Sequence, residues 1–412
     1  MLQQEQINGI LVTRLGPGIR EIDEVFTRMM ALTTMPGAAY VLCYQGRLVY
    51  AAGFGYSNLE DKIPFTPYTL CEIGSVSKPV ASMAILRLLD EGVRLPDSSR
   101  LAIDSHPYDI LGWRAPDGSL PEELRRVTVK HALNHEMLYK HAATREEAAQ
   151  ALGKNINDVV VKDLHIASLK EGLAFEPGSK SQYSGVGQCV MARTTEKLTN
   201  TRFDMYLRET TFAPLGIQDA FSFNYYDIAS GVLPPSYQWN AQRGEFVREE
   251  FPPPAAIGYA DAVGSLVMSP LSLARFGDRF LDLYRDPVRM ERMIIDNKVA
   301  PHGGYALGWI AERLEDGSFD LYHGGMIGGW RTELKTGWYG FSHVWVFNAG
   351  PDAFNIIPEP LGRPAISDDT FGKTGIPREL FPPELQNILK RLRPRLDRQR
   401  QVNLWRQAGF PD

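Results

Sequence analysis

Glu72-Ile73-Gly74-Ser75-Val76-Ser77-Lys78-Pro79 opens a stretch that runs on to Glu91. Proline is tolerated inside a helix only in the first turn, so Pro79 sets a helix start close to Val76. Beyond it, Val80, Met83, Ala84, Ile85, Leu86, Leu88 and Leu89 leave almost no polar face. A helix that is apolar nearly all round belongs in a protein interior. Its start carries Ser75 and, three residues on, Lys78, with Cβ atoms roughly 5–6 Å apart on one face. A serine hydroxyl is a poor nucleophile at its ordinary pKa and needs a base beside it. An ammonium buried against this helix is disfavoured, so the Lys78 pKa should fall and its amine can act as that base. The N–H groups at the helix start face any negative charge that develops there. Ser-x-x-Lys is short enough to arise by chance, so its weight depends on its surroundings.

On the N-terminal side, Ile19, Ile22, Val25, Phe26, Met29 and Met30 recur at helical spacing, which predicts an amphipathic helix over residues 18–32. Residues 38–44 and 47–54 are rich in β-branched and aromatic side chains around Gln45-Gly46, a strand pair. On the C-terminal side, residues 96–254 read as helical pieces and long loops, broken at Pro177-Gly178 and Pro234-Pro235. After Gly264 a helix leads into strands at 307–314 and 319–323 around an Asp316-Gly317 turn, then at 330–334 and 341–347. Strands at both ends of a helical middle predict an α/β (α+β) fold, an antiparallel sheet flanked by helices with an inserted helical region. The implied division is a sheet domain from residues 1–70 and 255–350, a helical domain over 71–254, and a tail over 351–412. The tail reads as a Pro-rich segment (351–383) and a helix over 384–406. That helix packs on the body and turns Lys390, Arg391, Arg393, Arg395, Arg398, Arg400 and Arg406 to solvent.

Composition narrows the function. A chain of 412 residues, 44% hydrophobic and 23% charged, is long enough and apolar enough for a large core. Its net charge of −5 carries no electrostatic footprint for nucleic acid. Cys43, Cys71 and Cys189 are widely spaced in apolar surroundings and read as free buried thiols in a reducing compartment. Residues 1–10 show neither a cationic nor an apolar leader segment, and no apolar run reaches membrane-spanning length. The expectation is a soluble, cytoplasmic protein with a small-molecule acyl substrate, no nucleic-acid or membrane partner and no cofactor. Its oligomeric state stays open.

The block 72–78, with Glu91-Gly92 and Leu95-Pro96-Asp97 after it, resembles the serine β-lactamase and penicillin-binding-protein superfamily. It is most similar to the class C β-lactamase branch with its esterases, D-aminopeptidases and transacylases. The resemblance continues through Phe175-Glu176-Pro177-Gly178, Gln182-Tyr183-Ser184-Gly185-Val186-Gly187, Pro214-Leu215-Gly216-Ile217, Leu307-Gly308-Trp309 and His323-Gly324-Gly325. It implies a β-lactamase/transpeptidase-like fold with its site in the cleft between sheet and helical region. It also implies that Tyr183 exchanges protons with Ser75 and the leaving group, since a phenol near a lysine ammonium can be held partly as phenolate. Gly185 stands where the family's second motif has an asparagine that contacts the lysine and the substrate amide. The family's His-Thr-Ser-Gly-Leu segment reads His135-Glu136-Met137-Leu138, a change expected to reshape the acyl pocket.

The family's third motif, Lys-Thr-Gly or His-x-Gly on a strand lining the cleft, has four candidates. Lys373-Thr374-Gly375 falls in the Pro-rich tail, Lys335-Thr336-Gly337 at an expected hairpin turn, and His302-Gly303-Gly304 in an expected loop. His323-Gly324-Gly325 ends one strand ahead of another, and its run to Trp330 matches the family pattern. The resemblance therefore implies His323, Gly324, Gly325, Trp330, Gly185 and His135 as substrate contacts, with the Ser75 and Met326 N–H groups as the oxyanion hole. His131, His135, His141 and Glu136 cluster in sequence but lack the spacing and completing ligands of a metal site. The activity implied is hydrolysis of an ester or amide through an acyl-enzyme on Ser75, with Lys78 and Tyr183 as bases. Against the resemblance, β-lactams are expected to be poor substrates, because Gly185 lacks the amide contacts, a neutral His323 stands where the family usually has a lysine, and no export signal is seen. Acyl transfer to an amine or alcohol, or ligand binding without turnover, remain open alternatives.

Overall fold

The computed structural model describes residues 2–223, 233–240, 242–249, 261–284, 304–314, 319–349 and 383–411. Nine of its strands run through one sheet: β1 (Leu2–Ile7), β2 (Ile10–Leu15), β3 (Gly37–Tyr44), β4 (Arg47–Asn58), β5 (Gly304–Ala306), β6 (Trp309–Arg313), β7 (Phe319–Ile327), β8 (Trp330–Thr336) and β9 (Phe341–Phe347). Their spatial order is β1-β2-β4-β3-β9-β8-β7-β6-β5, and neighbours pair antiparallel. The two ends of the chain meet at β3 and β9, from Tyr44 opposite Phe341 to Ala38 opposite Phe347.

Both central strands are buried along their whole length, which is why they read as unbroken apolar runs instead of an alternation. The faces still differ with period two. Ala38, Tyr40, Leu42 and Tyr44 pack under α1 (Arg20–Thr33), with Val25, Phe26 and Met29 of that helix. Ala39, Val41 and Cys43 pack toward α2 (Ser77–Glu91), whose Val80, Ala84 and Ile85 share their cluster. Beside α2 lie α3 (Val186–Thr199) in the helical region and α4 (Pro270–Tyr284) against the sheet. The C-terminal helix, α5 (Pro383–Arg398), buries Leu385, Ile388, Leu389, Leu392 and Leu396 in the α1 cluster and exposes Lys390, Arg391, Arg393 and Arg398.

Several details depart from the sequence reading. The first strand pair, β1 and β2, is unforeseen. Its turn is Asn8-Gly9, both at positive φ, a hairpin signal that was present in a polar edge segment. The C-terminal helix stops at Arg398 and not at Arg406. The Arg47 guanidinium takes the carbonyls of Leu396, Gln399 and Val402, the Leu404 N–H donates to the Leu48 carbonyl at 2.9 Å, and Trp405 is fully buried. Lys335 is no turn residue. It sits inside β8 between Tyr322 and His343 and forms an ion pair with buried Asp320, which holds a charged side chain within the sheet. The Asp316-Gly317 turn, the Pro-rich segment, His302 and Lys373-Thr374-Gly375 lie outside the described residues.

Candidate active site

The nucleophile turn is a single 3-10 turn, Gly74–Val76, running directly into α2. Strand β7 pairs with β6 only as far as Tyr322, so from His323 to Ile327 one of its edges is open. The turn closes on that edge. A Cβ at Gly74 would lie 2.6 Å from the Met326 nitrogen, and one at Gly325 would lie 1.9 Å from the Ile73 carbonyl oxygen. Gly74 also has φ +51. Two residues without side chains thus let the Ser75 turn and the Gly325-Met326 backbone meet.

Lys78 is 1% exposed, and its Nζ lies 2.9 Å from Ser75 Oγ. Burial pulls its pKa down to about 7, against a smaller opposing effect of Cys189. The amine donates to the Val263 carbonyl oxygen at 3.0 Å and lies 4.6 Å from the centre of the Tyr183 ring. Tyr183 departs from expectation. Burial raises its phenol well above the ordinary value, with Ser75 opposing and Tyr305 adding to the rise. Lys78 lies over the ring face, and with its pKa near 7 it is only partly charged at neutral pH, so no fixed cation holds a phenolate. The Tyr183 oxygen is buried and makes no well-formed hydrogen bond.

Gly185 caps the start of α3 with an ordinary φ of −83. The space an asparagine would need is filled by Val263, whose two methyl carbons would lie 2.8 and 2.9 Å from a Cβ at 185. The same residue's carbonyl gives Lys78 the polar contact that the missing amide would supply. No sequence signal could have found Val263, because its working atom belongs to the backbone. Overpacking of this kind costs about 1–3 kcal/mol. Gly185→Asn is therefore expected to destabilise the protein by that amount, and Val263→Ala to recover part of the loss. A double-mutant cycle in urea checks it, and strictly additive effects would show that the two sites do not touch.

His135 is buried at φ +58, with its ring 4.7 Å from that of Tyr183 and 4.4 Å from that of Tyr305. His323, fully buried in β7, has its ring 6.2 Å from that of Tyr183. Burial, and then Lys78, hold the His323 pKa down at about 3, so the ring is neutral. Glu72, buried just before the turn, is pushed up to about 8 by burial and then by Glu249, so it adds no fixed anion at neutral pH. Ser75, Lys78, Tyr183, Gly185, His135 and the 323–326 backbone lie close together. Trp330 does not join them. It is 2% exposed and packs edge-on to Phe65 in the core. The histidines of the rejected metal cluster diverge: His131 bonds the Thr128 N–H, and His141 pairs with Glu147. Among the described residues, no three or more His, Cys, Asp or Glu could hold a metal ion. Nor is any described helix long and apolar enough to cross a membrane.

A large antiparallel sheet with helices on both faces, and a Ser-x-x-Lys helix start closed against one of its strands, is the β-lactamase/transpeptidase fold. The chain belongs to the beta-lactamase family, whose model matches residues 22–356. Protein flp of Staphylococcus aureus is 23% identical over 198 residues, 48% of this chain and 36% of that protein. Penicillin-binding protein 4* of Bacillus subtilis is 24% identical over 187 residues, 43% of this chain and 36% of that one. The matches thus span about a third of the length of these curated relatives. Among solved structures, the octameric penicillin-binding protein homologue from Pyrococcus abyssi superposes with a TM-score of 0.62 at 21% identity, over 81% of this chain and 74% of that chain. The D-amino acid amidase from Ochrobactrum anthropi SV3 gives 0.60 at 20% identity, over 80% and 90%. EstCE1, a hydrolase with promiscuous acyltransferase activity, gives 0.61 at 17% identity, over 81% and 94%.

Proposed function

We propose that the chain is a serine acyl hydrolase that cleaves an ester or amide through an acyl-enzyme on Ser75. The observation that carries this reading is the buried Lys78 amine, 2.9 Å from Ser75 Oγ with its pKa brought to about 7. In this reading neutral Lys78 takes the Ser75 proton as Oγ bonds to the acyl carbon. The carbonyl oxygen becomes an oxyanion between the Ser75 and Met326 N–H groups. Tyr183, kept protonated by its burial, passes a proton to the leaving group and is reprotonated from the Lys78 ammonium. Water then attacks the acyl-enzyme with the same groups acting in reverse order. His135, Gly185, His323, Gly324 and Gly325 line the substrate side. An alcohol or amine in place of water would give acyl transfer from the same intermediate, the side activity named for EstCE1.

The pH dependence tests the base. Protonated Lys78 cannot accept the Ser75 proton, so kcat/KM should fall about tenfold per pH unit below an acid limb centred near 7. A short-chain p-nitrophenyl ester serves, with added amines and alcohols to measure transfer. A profile that is flat between about pH 5 and about pH 9 would remove Lys78 as the base.

A further inference from the structure

Three buried polar atoms around the site make no hydrogen bond: Ser184 Oγ, His135 Nε2 and His323 Nε2. Each such atom costs on the order of 1–3 kcal/mol when left unpaired. Three in one wall point to a group that meets them when substrate is bound.

The two histidines define its chemistry. His323 Nδ1 lies 2.7 Å from the Gly324 carbonyl oxygen. A carbonyl only accepts, so Nδ1 of the neutral ring carries the proton and Nε2 presents a bare lone pair. His135 is the opposite tautomer. The Ser184 backbone N–H donates to its Nδ1 at 3.3 Å, so the proton of this neutral ring sits on Nε2. Both rings border Tyr183. The wall therefore offers one buried acceptor, His323 Nε2, and one buried donor, His135 Nε2–H.

We propose that this wall selects substrates bearing an uncharged hydrogen-bond donor, a carboxamide or hydroxyl, and discriminates against a carboxylate. It rests on the hydrolase reading only for the view that the wall faces substrate. A carboxylate has acceptors alone, so it would set a lone pair against that of His323 and leave water without full compensation. A protonated His323 would remove the conflict, but burial and Lys78 oppose that protonation, as they do at His135. A carboxamide meets both rings, with its N–H on His323 and its oxygen on His135. A hydroxyl donates to one and accepts from the other.

The test is NMR of the full chain labelled with 15N-histidine, with benzamide, benzyl alcohol and benzoate as probes. His323→Gln and, should it fail to fold, His323→Asn assign one ring, and His135→Gln the other. Near neutral pH, His323 is expected as the Nδ1–H tautomer and His135 as the Nε2–H tautomer. Benzamide and benzyl alcohol should shift the His323 Nε2 resonance, with benzoate weaker by about tenfold or more. A cationic His323, the reverse tautomers, benzoate binding as tightly as benzamide, or no shift with any probe overturns the proposal. None of these readings needs turnover, so an unreactive Ser75 would sink the hydrolase reading separately.

Discussion

Replacing Lys78 by alanine is expected to lower kcat/KM for a short-chain ester by about 10²- to 10⁴-fold, the usual contribution of a positioned general base. Ser75→Ala should do at least as much, and the double variant little more, because nucleophile and base act as one unit. Lys78→Arg should give no rescue. A guanidinium stays protonated in proteins and cannot accept the serine proton, whatever its burial. Circular dichroism on each variant separates this from misfolding, since removing Lys78 also strips the Val263 carbonyl of its donor. A Lys78→Ala enzyme within about twofold of wild type would end the role assigned to the amine.

The second large effect is expected at Gly74, where conformation and space act together. Alanine there would hold a φ of +51, costing about 1–2 kcal/mol. Its Cβ would also press to 2.6 Å from the Met326 nitrogen, backbone that cannot swing aside. Relief requires that the turn and β7 separate, and the two N–H groups proposed for the oxyanion separate with them. Loss of one such donor typically costs about 10²- to 10³-fold in kcat. Gly74→Ala should therefore lose both stability in urea and turnover. Ala81→Gly, within α2 and away from the turn, should weaken stability by about 1 kcal/mol and spare turnover. Gly74→Ala turnover equal to wild type would show that the turn and β7 need not touch for catalysis.

The sheet and the nucleophile helix were legible because their signals are local. Pro79 places the helix start, and the apolar runs of 38–44 and 341–347 mark strands buried on both faces. The β1–β2 pair hid because its polar side chains, four of them exposed in β1, give an edge strand no apolar pattern. Lys335 was misplaced for a related reason. A charge in a central strand argues against burial until its partner is known, and Asp320 is fifteen residues away on the neighbouring strand. At the site, residue type and spacing pointed to Ser75 and Lys78, and the family resemblance to Tyr183 and His323. They could not name Val263, which works through its carbonyl and its bulk, nor the protonation of Tyr183 and His323, which burial sets. Trp330 was overread, because an aromatic next to a glycine-rich motif serves packing as readily as binding.

The most direct test of the central claim is intact-mass spectrometry of the protein after brief mixing with p-nitrophenyl acetate and longer-chain homologues, followed by acid quench. The account expects a transient gain of one acyl group, located on the peptide that carries Ser75 and absent from Ser75→Ala. An acyl group on any other residue, or turnover by Ser75→Ala at the wild-type rate, would contradict it.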